Sequence, residues 1–140
     1  MARDDEAVRR LMTIPGIGTI NATALAAAVG NARAFGHGRD MAAWLGLTPR
    51  QMTTGGKPRL LGISKRGNRY LRKNLIHGAR AVLPYLVERE TPLGRWVCGL
   101  LARAHKNVVI VALANKLARI AWAVLAHDRP YEAGGEAAAT

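Results

Sequence analysis

Two stretches of this chain carry apolar residues at spacings of three and four, and that period limits the fold more than any other feature. Leu71, Leu75, Ala79, Val82 and Leu86 recur along the first, and Leu113, Leu117, Ile120 and Val124 along the second. Such spacing puts side chains on one face of an α-helix, and that face must then be buried. The apolar composition agrees: 49% of the 140 residues are apolar, chiefly Ala, Leu and Val, and aromatics are only 5%. A β-sandwich would draw on more β-branched and aromatic residues. At this length one modest core is expected.

Breakers and caps place the other elements. Asp4 to Thr13 reads as a short helix, with Asp4, Asp5 and Glu6 at its start, where the helix dipole favours negative charge. Ile14 to Gly18 breaks it, and Thr19 to Val29 resumes as an Ala-rich helix stopped by Gly30. Asp40 is expected to cap a helix through about Leu45, with Trp44 turned inward. Pro49, Gly55, Gly56, Pro58 and Gly62 make the stretch between Thr48 and Gly62 a Gly-rich loop. Ser64 can cap a helix to about Arg89 that Pro84 interrupts and kinks. Pro92 opens a helix reaching Ala104, and Asn107 caps a last one through about Ala126. The expected fold is all-α: a compact bundle of about six helices over residues 1–128, with a basic Gly-rich loop. The Gly-, Ala- and Glu-rich residues 129–140 are expected to form a disordered tail.

The charge points to a partner. Lys+Arg number 21 against 9 Asp+Glu, a net +12 with a pI near 11.3, and a field of that sign attracts polyanions. No acidic residue stands between Asp40 and Glu88, an interval holding Arg50, Lys57, Arg59, Lys65, Arg66, Arg69, Arg72, Lys73 and Arg80. A face kept for solubility would mix signs. On a helix Arg66, Arg69 and Lys73 share a face, and Tyr70 lies beside them. Bulk charge alone would also suit a ribosome-associated or membrane-surface protein. The single cysteine, Cys98, cannot form an internal disulfide, which fits a reducing compartment; among Trp96, Val97, Leu100 and Leu101 it reads as a small buried residue. The start is no signal peptide, and the apolar run Val108 to Ala114 is short for a bilayer. A cytoplasmic location and no membrane partner are therefore expected.

Leu11, Ile14, Pro15, Gly16, Ile17 and Gly18, set between two helical patterns at about residues 6–30, resemble the helix-hairpin-helix motif of DNA repair and recombination proteins. Two glycines two apart permit a tight turn and let backbone N–H groups approach a phosphate. The second helix aims its positive end at the same place. Pro15, Gly16, Ile17, Gly18 and Thr19 are the expected backbone contacts, and Asn21 could add a hydrogen bond. The alternative is a plain helix–helix turn.

Catalytic material is sparse. Thr53 and Thr54 precede Gly55-Gly56-Lys57, and Ser64 precedes Lys65-Arg66-Gly67. A hydroxyl beside cations can attack a phosphodiester, although Ser64 serves more simply as a helix cap. His37, His77, His105 and His127 are scattered without metal-ligand spacing to Cys98, and the acidic residues form no two-metal cluster. No metal or other cofactor is assigned to this chain.

These segments also occur in an order that resembles a family. They are Pro15 to Gly18, then Trp44-Leu45-Gly46-Leu47-Thr48-Pro49-Arg50, Thr53 to Lys57, Gly62-Ile63-Ser64-Lys65-Arg66-Gly67-Asn68, Tyr70-Leu71-Arg72 and His77-Gly78-Ala79-Arg80. From roughly Leu11 to Leu125 the chain is similar to the C-terminal domain of the IS-one-ten family of insertion-sequence transposases. The resemblance implies a helical domain with a serine nucleophile, working in oligomers with an RuvC-like domain whose acidic residues bind a divalent metal. It further implies a guide (bridge) RNA that pairs with DNA, and strand exchange through a phosphoserine link. Two departures stand out. Only ten residues precede Leu11, so an RuvC-like half is not expected in this chain. Where many members are expected to carry Ser before Gly-Gly-Lys, this chain has Thr53 and Thr54, which leaves Ser64 and Thr53 as alternative nucleophiles. Three readings follow: a strand transferase, a DNA-binding module without chemistry, and an oligomerising remnant that pairs through Val108 to Ala126.

Overall fold

A computed structural model of the chain describes residues 2–30, 32–47 and 65–132, with the backbone alone for residues 2–4 and 65–68. The elements are α1 (Ala2–Leu11), α2 (Thr19–Val29), α3 (Gly38–Trp44), α4 (Lys65–Leu86), α5 (Pro92–Leu101) and α6 (Lys106–His127). The fold is all-α, and no strand occurs among the described residues.

α6 is the central element. It packs against α1, α3, α4 and α5, and Leu113, Leu117 and Ile120 are fully buried along it. Each such side chain contributes about 1.5–3 kcal/mol through apolar area removed from water. By length and composition α6 is apolar enough to cross a bilayer, yet its apolar residues form the core of this bundle. The same burial leaves little of its apolar face for pairing with another copy. α4 lays Leu71, Leu75, Ala79 and Leu86 into the core, as its period predicts, while Leu83 is buried there and the expected Val82 is only half-buried.

Several boundaries differ from the sequence reading, each for a local reason. α3 starts at Gly38, capped by His37; Asp40 sits one turn inside and its carboxylate accepts the His37 N–H at 3.1 Å. α6 starts at Lys106, because His105 Nδ1 accepts the Asn107 N–H at 3.0 Å; Asn107 is capped rather than capping. α5 ends at Leu101, and Thr91 Oγ1 closes its start by accepting the Gly94 N–H at 3.0 Å. α4 runs through Pro84 to Leu86. Pro84 stands in the last turn on an exposed side, so the Arg80 carbonyl that loses its donor belongs to a solvent-facing residue. Cys98 is exposed, not buried. Gly30 ends α2 with φ +59, as expected for a helix stop.

The turn between α1 and α2 is held from below. Ile14 and Ile17 are buried, while Gly16 adopts φ +89 and lies against α4. A methyl group on Gly78 of α4 would collide with the Gly16 carbonyl, so both backbones meet without side chains between them. Beside this contact Asn21 Nδ2 donates to the Asn74 carbonyl at 3.0 Å. The chain returns to the turn after α6, where the Tyr131 N–H donates to Thr13 Oγ1 at 2.9 Å. Of the tail expected over residues 129–140, residues 133–140 lie outside the described residues.

Candidate nucleic-acid interface

α4 contains no acidic residue, and its exposed side carries Arg69, Lys73, His77 and Arg80. Spacings of four, four and three keep these four on one face, opposite the leucines that enter the core. Tyr70, 50% exposed, stands at the edge of the stripe. Among the described residues no carboxylate pairs with Arg69, Lys73 or Arg80. Held on a helix, the charges keep their spacing without neutralising one another, which is the arrangement a phosphate backbone can occupy.

The α1–α2 turn lies against the adjoining flank of α4, through the Gly16–Gly78 contact and the Asn21–Asn74 hydrogen bond. Of the expected backbone contacts, Gly18 and Thr19 are exposed, Pro15 and Gly16 are half-buried, and Ile17 is 4% exposed. The Ile17 side chain therefore holds the turn to the core, and its N–H is spent on the Ile14 carbonyl at 3.1 Å. No side chain caps α2, so its first N–H groups stay available at Gly18 and Thr19. Asn21 spends one amide N–H on the Asn74 carbonyl of α4, which orients it toward that helix. Thr19 makes only a weak contact, its hydroxyl 3.7 Å from Met12 Sδ.

Arg72 differs from its neighbours. It is half-buried and lies against Gly46 after α3, where a Cβ would stand 2.6 Å from Arg72 Nη1. A cation there also meets the negative end of α3. On α6, Arg119 packs under the start of α3, with its Nε buried and unpartnered among the described residues. Burial lowers its pKa below the ordinary arginine value.

The remaining expected residues are Thr53, Ser64, Arg50, Lys57 and Arg59, which lie outside the described residues, and Lys65 and Arg66, whose side chains do too. Among the described residues no group of His, Cys, Asp and Glu could hold a metal ion. The sequence reading passed over His77 and Arg80 as site residues. Their signal was available: positions 69, 73, 77 and 80 continue the helical stripe past Lys73.

Comparison with known proteins gives a consistent result. The family described as "Transposase IS116/IS110/IS902 family" matches residues 8–90, which takes in the turn, α2, α3 and α4. The chain is 54% identical over 94% of its length to a Pseudomonas aeruginosa protein described as "Probable family 20 transposase". It is 53% identical over 86% of its length to "Transposase for insertion sequence element IS1328" of Yersinia enterocolitica. It is 42% identical over 96% of its length to "Transposase for insertion sequence element IS1111A" of Coxiella burnetii. The chain spans only 39%, 36% and 37% of these relatives, respectively.

Proposed function

Because the chain belongs to the IS116/IS110/IS902 transposase family, we propose that it serves DNA transposition by gripping nucleic-acid backbones through α4 and the α1–α2 turn. The observation that carries this reading is the acid-free exposed stripe Arg69, Lys73, His77 and Arg80, set beside uncapped N–H groups at Gly18 and Thr19. Lys and Arg neutralise phosphates, and the helix start adds backbone donors. Such contacts position a protein on DNA without reading its sequence.

Strand cleavage and rejoining belong to the same proposal. A hydroxyl of Ser64 or Thr53 attacks the phosphodiester, the neighbouring cations stabilise the developing charge, and the leaving 3′ or 5′ oxygen takes a proton. A divalent metal, where one is needed, comes with an RuvC-like partner unit. A guide RNA and a homo-oligomeric assembly would complete the machinery. The chain acts in the cytoplasm, where the DNA is. The reading as a non-catalytic oligomerising remnant is not favoured, since α6 spends its apolar face on its own core.

The test is binding of the purified chain to a labelled duplex, an RNA–DNA hybrid and single-stranded RNA across a salt series, beside a denaturing gel. Steeply salt-dependent binding supports the backbone grip. A covalent adduct lost in Ser64→Ala or Thr53→Ala assigns the nucleophile. No binding at low salt overturns the reading.

A further inference from the structure

A second acid-free interval runs from Thr91 to His127, through the whole of α5 and α6. Most of it is core, but one side of α5 and the turn into α6 face outward. Arg95, Cys98, Gly99, Ala102, Arg103 and Lys106 are all exposed there. On the helix Arg95 and Gly99 stand four apart with Cys98 alongside, and Ala102 and Arg103 follow in the turn after its last residue, Leu101. The cations therefore flank a floor of small side chains.

Gly99 is the informative residue. It sits inside α5, where glycine is the poorest helix former after proline. A Cβ at this position would meet nothing within 4 Å, so no internal contact among the described residues requires glycine. Nor does any carboxylate among the described residues pair with Arg95, Arg103 or Lys106. A smooth helix face bordered by uncompensated cations matches the shape and charge of a phosphate backbone, which can approach closest where side chains are shortest.

We propose that the exposed surface made by Arg95 and Gly99 of α5 and Arg103 of the turn that follows, with Lys106 at the start of α6, is a second nucleic-acid backbone contact, separate from the α4 stripe. It extends the proposed grip to another face and rests on that reading. The occupant is a nucleic acid; an anionic lipid surface is the competing outcome.

Cys98 is the only cysteine in the chain and lies on this face, so it reports occupancy in the unaltered protein. The experiment measures the rate of Cys98 alkylation by iodoacetamide, a neutral reagent, with and without saturating DNA duplex. A parallel salt titration compares the chain with an Arg95→Ala/Arg103→Ala/Lys106→Ala variant. Expected are alkylation slowed several-fold by duplex and a log–log salt slope reduced by about 0.9 for each phosphate contact removed. Either readout unchanged overturns the proposal, as does protection of Cys98 by anionic phospholipid vesicles and not by duplex. If Lys73→Ala/Arg80→Ala still weakens binding in that case, only this second face fails; if that variant also binds normally, the α4 reading fails with it.

Discussion

Arg10 and Arg80 are the same residue type on helices of the same bundle, and their surroundings differ in kind. Arg10, on α1, lies 3.3 Å from Glu6 and 3.8 Å from Asp128, and Arg33 reaches Asp128 at 3.9 Å. Around Arg80, on α4, the helix supplies Arg69, Lys73 and His77 and no carboxylate. The net +12 of the chain is thus divided: some charges are balanced where α1 meets the end of α6, and others face outward unbalanced along α4. Exposed ion pairs contribute only about 0–1 kcal/mol to stability, so the paired end is weakly stabilised by its charges. Among the described residues the stripe has no carboxylate partner, and an arriving anion would offset its self-repulsion.

The largest expected effect tests the joint that holds the turn against α4. Gly78→Ala should lower unfolding stability by about 2 kcal/mol in urea titration, because the new methyl group meets the Gly16 carbonyl. An unchanged midpoint would mean that the turn is not locked there and that the two halves of the interface move independently. Next comes the stripe itself. Lys73→Ala/Arg80→Ala should weaken duplex binding about tenfold at fixed salt, or roughly 1.4 kcal/mol, while thermal unfolding stays within about 0.5 kcal/mol. A comparable loss of stability instead would show these residues to be structural, like Arg10.

Two smaller effects sharpen the contrast. His105→Ala removes the acceptor for the Asn107 N–H and should cost about 1 kcal/mol in thermal unfolding. Asp128→Asn removes the carboxylate shared by Arg10 and Arg33 and keeps a residue that tolerates the left-handed backbone at φ +53. It should lower stability by about 0.5 kcal/mol or less and leave duplex affinity within about twofold. A tenfold gain in affinity would erase the distinction between the two regions, by showing that freed arginines anywhere on the surface bind DNA equally well.

Much of the fold was legible residue by residue. The period of Leu71, Leu75 and Ala79 located α4 and its buried face, and Gly30 and Pro92 marked an end and a start that the structure keeps. Caps were read less well, because a sequence reading favours Asp and Asn while this chain uses His37 and His105. Histidine accepts a backbone N–H only when its ring is turned to the helix end, and that orientation is not written in the residue type. Cys98 was misread for a related reason: apolar neighbours one and two positions away lie on other sides of a helix. On the interface, the run of cations was visible in the sequence. Which of them point outward was not, and Arg72, turned to Gly46, shows how one member of a run can leave it.

The sequence by itself determined the helical class, the net charge with its acid-free intervals, and the family, since these depend on composition, period and motif order. Only the tertiary structure decided that α6 is the core rather than a spare apolar helix, because burial depends on which neighbours arrive and not on the helix's own pattern. It also decided that Gly78 receives the α1–α2 turn and that Asn21 is taken by Asn74, contacts between residues more than fifty positions apart. Local preference cannot encode such pairs; they exist because packing two helices at close range leaves room for backbone where a side chain would collide.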